Sequence, residues 1–376
     1  MAVASGPDAA TLQMRGVHRA IAELRRGTPV LLTGEAPLLL LAAETASAGS
    51  LIELAALAEA PPVLLLAPMR AAAVLQRPML QKQVAQDVPA VALGLSERLL
   101  APETLRGLAD PTAEQMLPEP PLPVALPSLA PAALALAKLA RLLPAVLAAP
   151  AGAEARQAAD TLQLLAVPAE DVLAYPSAFA LGLRQVAEAE VPLRSSDHTR
   201  IVAFRAPDAG IEHLAILVGR PEDVAAPLVR LHSECFTGDL LDSLRCDCGQ
   251  QLRGAIARMA EDGAGVLLYL AQEGRGIGLV NKLRAYAMQD RGLDTLDANR
   301  ALGWGADERN FMVAATMLEN LDIRRIRLLT NNPDKLNALA ACGVEIEGRE
   351  PHAFAPNGIN DQYLATKAER FGHLLD

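Results

Sequence analysis

Short apolar runs alternate with segments of helical period along this chain, and that alternation narrows the fold more than any other feature. In the first half the pattern predicts a helix over Val17–Arg26, ended by Gly27. Strands follow over Pro29–Leu32 and Leu38–Ala42, either side of a turn at Thr33–Pro37, and then over Pro62–Leu66. A helix is expected over Pro131–Leu143, and the Pro-dense stretch Pro118–Pro131 reads as a loop or an internal linker. In the second half strands are expected over His213–Val218, Leu228–His232, Gly265–Leu270 and Arg325–Thr330. Helices are expected over Cys248–Glu261, Leu279–Gln289, Phe311–Leu321 and Asp334–Ala341, the last closed by Gly343. Interleaved strands and helices make an α/β chain. At 376 residues it should form two domains.

A net charge of −10 argues against a nucleic-acid partner, and 3% aromatic residues leave few platforms for stacking bases. The greasiest stretch, Pro61–Met69, is interrupted by prolines and stops at Arg70, so no membrane span is expected. The N-terminus has no basic start ahead of an apolar run, which makes the cytoplasm the expected location. All four cysteines and five of the six histidines lie after residue 190, so the chemistry is expected there.

The densest signal is Cys235, Cys246 and Cys248. Three close thiols in a cytoplasmic chain favour a metal over disulfides, and soft ligands favour zinc. With three protein ligands a fourth position is left for water, which the metal makes acidic. His232 or Cys342 could instead close the tetrahedron and make the zinc structural. Cys342 also suits a small buried apolar position at a helix end.

Two segments suit anions. Gln272–Gly278 (QEGRGIG) joins a strand to a helix with glycines and a central Arg275, although a plain tight turn explains such a loop as readily. Thr330–Lys335 places Asn332 and Pro333 at a helix start, where ordinary capping is the plainer reading. Asp307 and Arg309 could act together or be a solvated helix start. Tyr286, taken alone, is a core or interface aromatic.

Taken together, Arg230–Asp239 (RLHSECFTGD), Ser243–Gly249 (SLRCDCG), Gln272–Gly278, Asn281–Tyr286 (NKLRAY), Ala306–Arg309 (ADER) and Leu329–Lys335 (LTNNPDK) resemble the GTP cyclohydrolase II family. The resemblance runs from about Val186 to Leu375. It implies a second domain over residues 186–376 with Cys235, Cys246 and Cys248 as zinc ligands. Arg230, Leu231, His232, Ser233, Glu234, Gln251, Glu273, Gly274, Arg275, Thr295, Thr330 and Lys335 match GTP-holding positions. Asp307 matches the proton acceptor, Arg309 the group proposed to attack the α-phosphorus, and Tyr286 a tyrosine of the ring-opening chemistry. The implied reaction takes GTP with Mg²⁺, releases pyrophosphate and formate, and yields a diaminopyrimidinone ribosyl phosphate at the start of riboflavin biosynthesis. A homodimer is implied too. Ala271 departs from the pattern, which has an arginine there.

His18–Val30, Leu41–Glu44 and Asp171–Tyr175 resemble the framework of 3,4-dihydroxy-2-butanone 4-phosphate synthase. The acidic, Arg-bearing loop of that family is replaced by Thr33–Pro37, and its Gly-His-Thr element by Leu126–Pro131. Residues 1–185 are therefore expected to form a synthase-like domain, with a mixed sheet and packed helices, that has lost its activity. A fragment beginning near Val186 is expected to keep GTP hydrolysis. The alternatives are a bifunctional riboflavin enzyme, or a non-catalytic zinc protein that binds GTP as a regulator.

Overall fold

The computed structural model describes residues 8–76, 89–113, 116–152, 155, 157, 163–207 and 209–374; Leu375, where the family resemblance ends, lies outside them. Two compact units form. One comprises Met1–Tyr175 with Val280–Ala306, the other Pro176–Leu279 with Asp307–Asp376. The sequence expectation of a single cut near residue 185 has no place for the excursion of 280–306, whose composition does not mark it off from its surroundings.

The first unit holds strands β1 (Val30–Thr33), β2 (Leu38–Ala42), β3 (Val63–Leu66), β4 (Val91–Gly94), β5 (Leu122–Val124), β6 (Ala145–Pro150) and β7 (Ala166–Pro168), in the order β5-β4-β3-β6-β2-β1-β7. Only β1 and β7 run parallel. Every residue of β2 is buried, which explains its unbroken apolar run. Each such leucine contributes about 1.5–3 kcal/mol of burial. Part of the stretch read as a loop or linker is the edge strand β5. Pro123 is tolerated there because an edge strand has one unpaired side.

Helix α1 (Ala9–Arg26) starts eight residues before its predicted beginning, because Asp8 caps it by accepting from the Thr11 N–H. Gly27 ends it with φ 74, against the Thr45 carbonyl, where no other side chain fits. Helices α2 (Ala48–Leu57), α3 (Pro68–Val74), α4 (Pro102–Ala109), α5 (Ala130–Leu139), α6 (Ala169–Leu181) and α7 (Cys248–Asp262) follow along the chain, and the excursion then supplies α8 (Leu279–Gln289) and α9 (Thr295–Ala301). Arg284 anchors α8 within this unit: its guanidinium lies 2.8 Å from both Glu44 and Asp110, and it donates to Asn281 Oδ1 at 2.8 Å. Glu44 also accepts from the Leu143 N–H at 2.7 Å, and Asn281 donates to the Arg141 carbonyl.

The second unit holds β8 (Arg184–Glu190), β9 (Thr199–Arg205), β10 (Glu212–Val218), β11 (Leu228–Ser233), β12 (Gly265–Leu270), β13 (Arg325–Leu329) and β14 (Glu345–Glu350). Their order is β14-β13-β11-β12-β10-β9-β8. The β8–β10 end is antiparallel, whereas β12, β11, β13 and β14 are parallel. Both sheets are thus mixed, as expected. Helix α7 (Cys248–Asp262) buries Ala255, Ile256 and Met259 against Leu228 and Leu267, which fixes its N-terminus at the carboxyl ends of the parallel strands. Among the described residues no helix is long and apolar enough to cross a membrane.

Glu44→Ala should lower unfolding stability by about 1–3 kcal/mol, since it leaves the Leu143 N–H without its acceptor and takes one of two carboxylates from the half-buried Arg284. The exposed pair Arg205–Glu212, lost in Glu212→Ala, should cost under about 1 kcal/mol. Denaturant midpoints of both variants check this contrast.

Candidate active site

Three motif loops follow the carboxyl ends of the parallel strands β11, β12 and β13, the place where open α/β sheets hold their ligands. The first loop turns through a π-helical segment, Phe236–Leu240, and carries Cys235. Cys248 opens α7. The ligand atoms of Cys235, Cys246 and Cys248 lie within 4.8 Å of one another, with the Cys235 and Cys246 sulfurs 3.8 Å apart.

The cradle fits a soft dication. Hydrogen bonding to the Cys235 thiol and burial push Cys246 up to about 11, and contact with its two sister thiols raises Cys248 well above its ordinary range. Without a cation, three thiolates so close would repel each other; a dication at their centre removes that penalty. Gly238 completes the cradle by donating its N–H to the Cys235 sulfur at 3.3 Å. A Cβ there would sit 2.7 Å from the Cys246 sulfur and 3.0 Å from that of Cys235, so only glycine fits. His232, the candidate fourth ligand, is outside the cluster: its Nε2 donates to Asp239 at 3.0 Å. Cys342 is also elsewhere, at the end of α11 (Pro333–Ala341).

Beside the thiols stand buried cations. Arg230 is 5% exposed, donates to the Leu329 carbonyl and to Gln251, and keeps its Nε without a partner. Burial lowers it to about 10, against the opposing charges of Asp247 and Cys248. Lys335 donates to the Leu231 carbonyl at 2.9 Å. Burial, then the charges of Arg309 and Arg230, hold its ammonium well below the ordinary lysine range. Asp247 receives Lys367 at 2.6 Å and Gln251. Burial would raise its carboxyl, but Lys367 together with the backbone and Gln251 hydrogen bonds outweighs burial and keeps it low.

Asp307 accepts from Arg309 Nε at 2.8 Å and from the Arg309 backbone N–H. Burial opposes ionisation, yet those bonds and the guanidinium charge keep Asp307 below the usual carboxylate range. Glu273 accepts from the Phe236 N–H at 2.7 Å and the Gly274 N–H at 3.1 Å. Gly274 and Arg275 both turn left-handed, with φ 64 and 63. The Arg275 guanidinium lies 3.8 Å from the Phe371 ring centroid. Thr330 accepts from the Asn332 N–H, and Asn332 caps α11. Glu234 bonds back to the Leu270 carbonyl, just beyond Ser233 at the end of β11. At Ala271 the backbone N–H donates to His213 Nδ1.

The second unit thus gathers the thiols, Arg230–Glu234, Gln251, Glu273–Arg275, Asp307, Arg309, Thr330 and Lys335. Tyr286 and Thr295 belong to the first unit. There Lys282 lies over the Tyr286 ring at 5.7 Å, and Thr295 opens α9 behind its cap Asp294. The sequence reading missed Asp239, Asp247, Tyr269 and Lys367. The two aspartates stand inside quoted motifs, whereas nothing local marks Tyr269 or Lys367.

The GTP cyclohydrolase II family matches residues 184–351. A relative named GTP cyclohydrolase-2 from Azospirillum brasilense is 49% identical over 375 residues, covering 96% of this chain and 94% of its own. One of the same name from Histophilus somni (strain 2336) is 49% identical over 193 residues, 51% of this chain and 89% of its own. Among solved structures, a two-domain 3,4-dihydroxy-2-butanone 4-phosphate synthase from A. baumannii covers 89% of this chain and 99% of its own, at 18% identity and a TM-score of 0.34. With near full-length similarity to the Azospirillum relative, and with most of the family's motifs in the unit that holds the thiol cradle, the chain belongs to the GTP cyclohydrolase II family.

Proposed function

We propose that this chain is a GTP cyclohydrolase II, hydrolysing GTP with opening of the imidazole ring and release of formate and pyrophosphate. The observation that carries this reading is a three-thiol cradle next to buried cations, coupled electrostatically through Arg230 and Cys248. A nucleotide that is cut at its base and at its triphosphate needs both kinds of group. Cys235, Cys246 and Cys248 would hold zinc, which when bound supplies an acidified water as nucleophile.

The remaining groups divide the work. Arg230, Arg275 and Lys335 bind the anionic end, and the Thr330–Lys335 segment lies at the start of α11. Glu234, Gln251, Glu273 and Gly274 complete the nucleotide contacts with Leu231, His232, Ser233 and Thr295. Asp307 stays ionised and is the proton acceptor. Arg309 stabilises charge on the phosphoryl group, because a guanidinium pinned on a carboxylate has no lone pair for attack. Tyr286 serves the ring opening. Mg²⁺ accompanies the triphosphate, and the enzyme acts in the cytoplasm as a homodimer at the entry to riboflavin biosynthesis.

The first unit is a domain without synthase chemistry. Between Val30 and Thr45 its carboxylates are Glu35, which is exposed, and Glu44, which is committed to Arg284 and the Leu143 N–H. Among the described residues neither belongs to a cluster of carboxylates that could hold a hard cation.

Three outcomes are expected. Elemental analysis should find one zinc per chain; Cys246→Ser should lose it together with formate release, and Gly238→Ala should weaken zinc retention against a chelator by about tenfold or more, the equivalent of ~1.4 kcal/mol. Cys248→Ser should still release pyrophosphate slowly from GTP, while Arg309→Ala loses both products. Equal and complete loss of pyrophosphate in the two variants would contradict the division of roles. Ribulose 5-phosphate with Mg²⁺ should give no four-carbon sugar phosphate by mass spectrometry, and its appearance would restore the bifunctional reading.

A further inference from the structure

Asp239 is a buried carboxylate that the nucleotide and metal assignments leave unused. Its side chain is 7% exposed and accepts from three donors. His232 Nε2 lies 3.0 Å from Oδ1, while the Tyr269 hydroxyl and the Cys235 backbone N–H each lie 3.0 Å from Oδ2. His232 and Tyr269 are register partners on the parallel strands β11 and β12, and their rings stack at 5.7 Å. The metal loop therefore folds back so that one of its carboxylates meets two side chains of the sheet.

The donor count fixes the protons. An ionised carboxylate only accepts, so the imidazole nitrogen facing it must carry hydrogen. Burial, helped by the charges of Arg230 and Lys335, lowers the His232 pKa and favours the neutral ring. A neutral ring with hydrogen on Nε2 has a lone pair on Nδ1. Among the described residues Nδ1 has no partner.

We infer that Asp239 is a positioning residue, pinning His232 in the Nε2–H tautomer so that Nδ1 accepts a hydrogen bond from an N–H or O–H donor on the nucleotide. This rests on the reading that His232 touches the substrate. The Cys235 and Tyr269 bonds hold the carboxylate in place for that task.

Asp239→Asn tests it in the full, zinc-loaded chain. The amide can keep accepting from the Cys235 N–H through Oδ1, but its NH₂ then faces His232 and drives hydrogen onto Nδ1. Long-range ¹⁵N imidazole spectra, with His232 assigned by its disappearance in His232→Gln, should show Nε2–H in the wild type and Nδ1–H in Asp239→Asn. KM for GTP should rise about tenfold with kcat little changed, as for loss of one ground-state hydrogen bond. The Asp239→Asn/His232→Gln double variant should lose no more than His232→Gln alone. An unchanged tautomer in Asp239→Asn, losses that multiply, or zinc loss with the tautomer intact would each overturn the assignment. A wild-type chain inactive on GTP would sink the proposed function instead, and the tautomer would still report on Asp239.

Discussion

Crowded thiols are the constraint around which the second unit is arranged. Three sulfurs within 4.8 Å of one another resist ionisation in a buried site, and a dication makes their thiolates compatible. Holding them in place requires a loop that can turn tightly between Cys235 and Cys246, and Gly238 lets that turn press against the sulfurs. It also requires Cys248 to stay where α7 begins, which the packing of Ala255, Ile256 and Met259 on the sheet secures. The cation cluster depends on the same geometry. Arg230 sits on β11 five residues before Cys235, so strand and cradle share one anchor.

Burying several cations in one place would be unfavourable without nearby anions. Asp247, between two of the cysteines, answers Lys367, and Asp307 answers Arg309. Among the described residues Arg230 and Lys335 have no carboxylate partner of that kind; they are held by carbonyls and by Gln251. Burial is the main cause of their lowered pKa values, and the nearby carboxylates do not make up the deficit of negative charge. A polyanionic ligand fills such a deficit, and this links the electrostatics to the nucleotide reading.

Much of the second unit was legible in sequence, because its chemistry is packed into local motifs. Cys235, Cys246 and Cys248 lie within fourteen positions, β12 matches its predicted limits, and α7 runs one residue past its own. Asp239 stood in plain view inside RLHSECFTGD, yet its role comes from a pairing of β11 with β12 that spacing does not encode. Lys367 was out of reach for the same reason: it lies 120 positions from Asp247. In the first half, β4 and β6 went unassigned, since Ala-rich strands and Ala-rich helices share one composition.

The excursion of 280–306 ties part of the motif set to the first half of the sequence. Arg284 is a half-buried cation whose two carboxylate partners, Glu44 and Asp110, both come from the first half of the sequence. Trp304, almost fully buried, has Lys138 over its ring, and Gly303 packs against Ala67 and Pro144. A fragment starting near Val186 keeps Arg284 and Trp304 but deletes every one of these partners. It would leave a guanidinium unpaired and an indole in water. The same segment carries Tyr286 and Thr295, two of the residues matched to the GTP chemistry. The sequence expectation is that a fragment beginning near Val186 keeps GTP hydrolysis; these contacts predict that such a fragment loses stability. On these contacts the first half is a brace for part of the motif set.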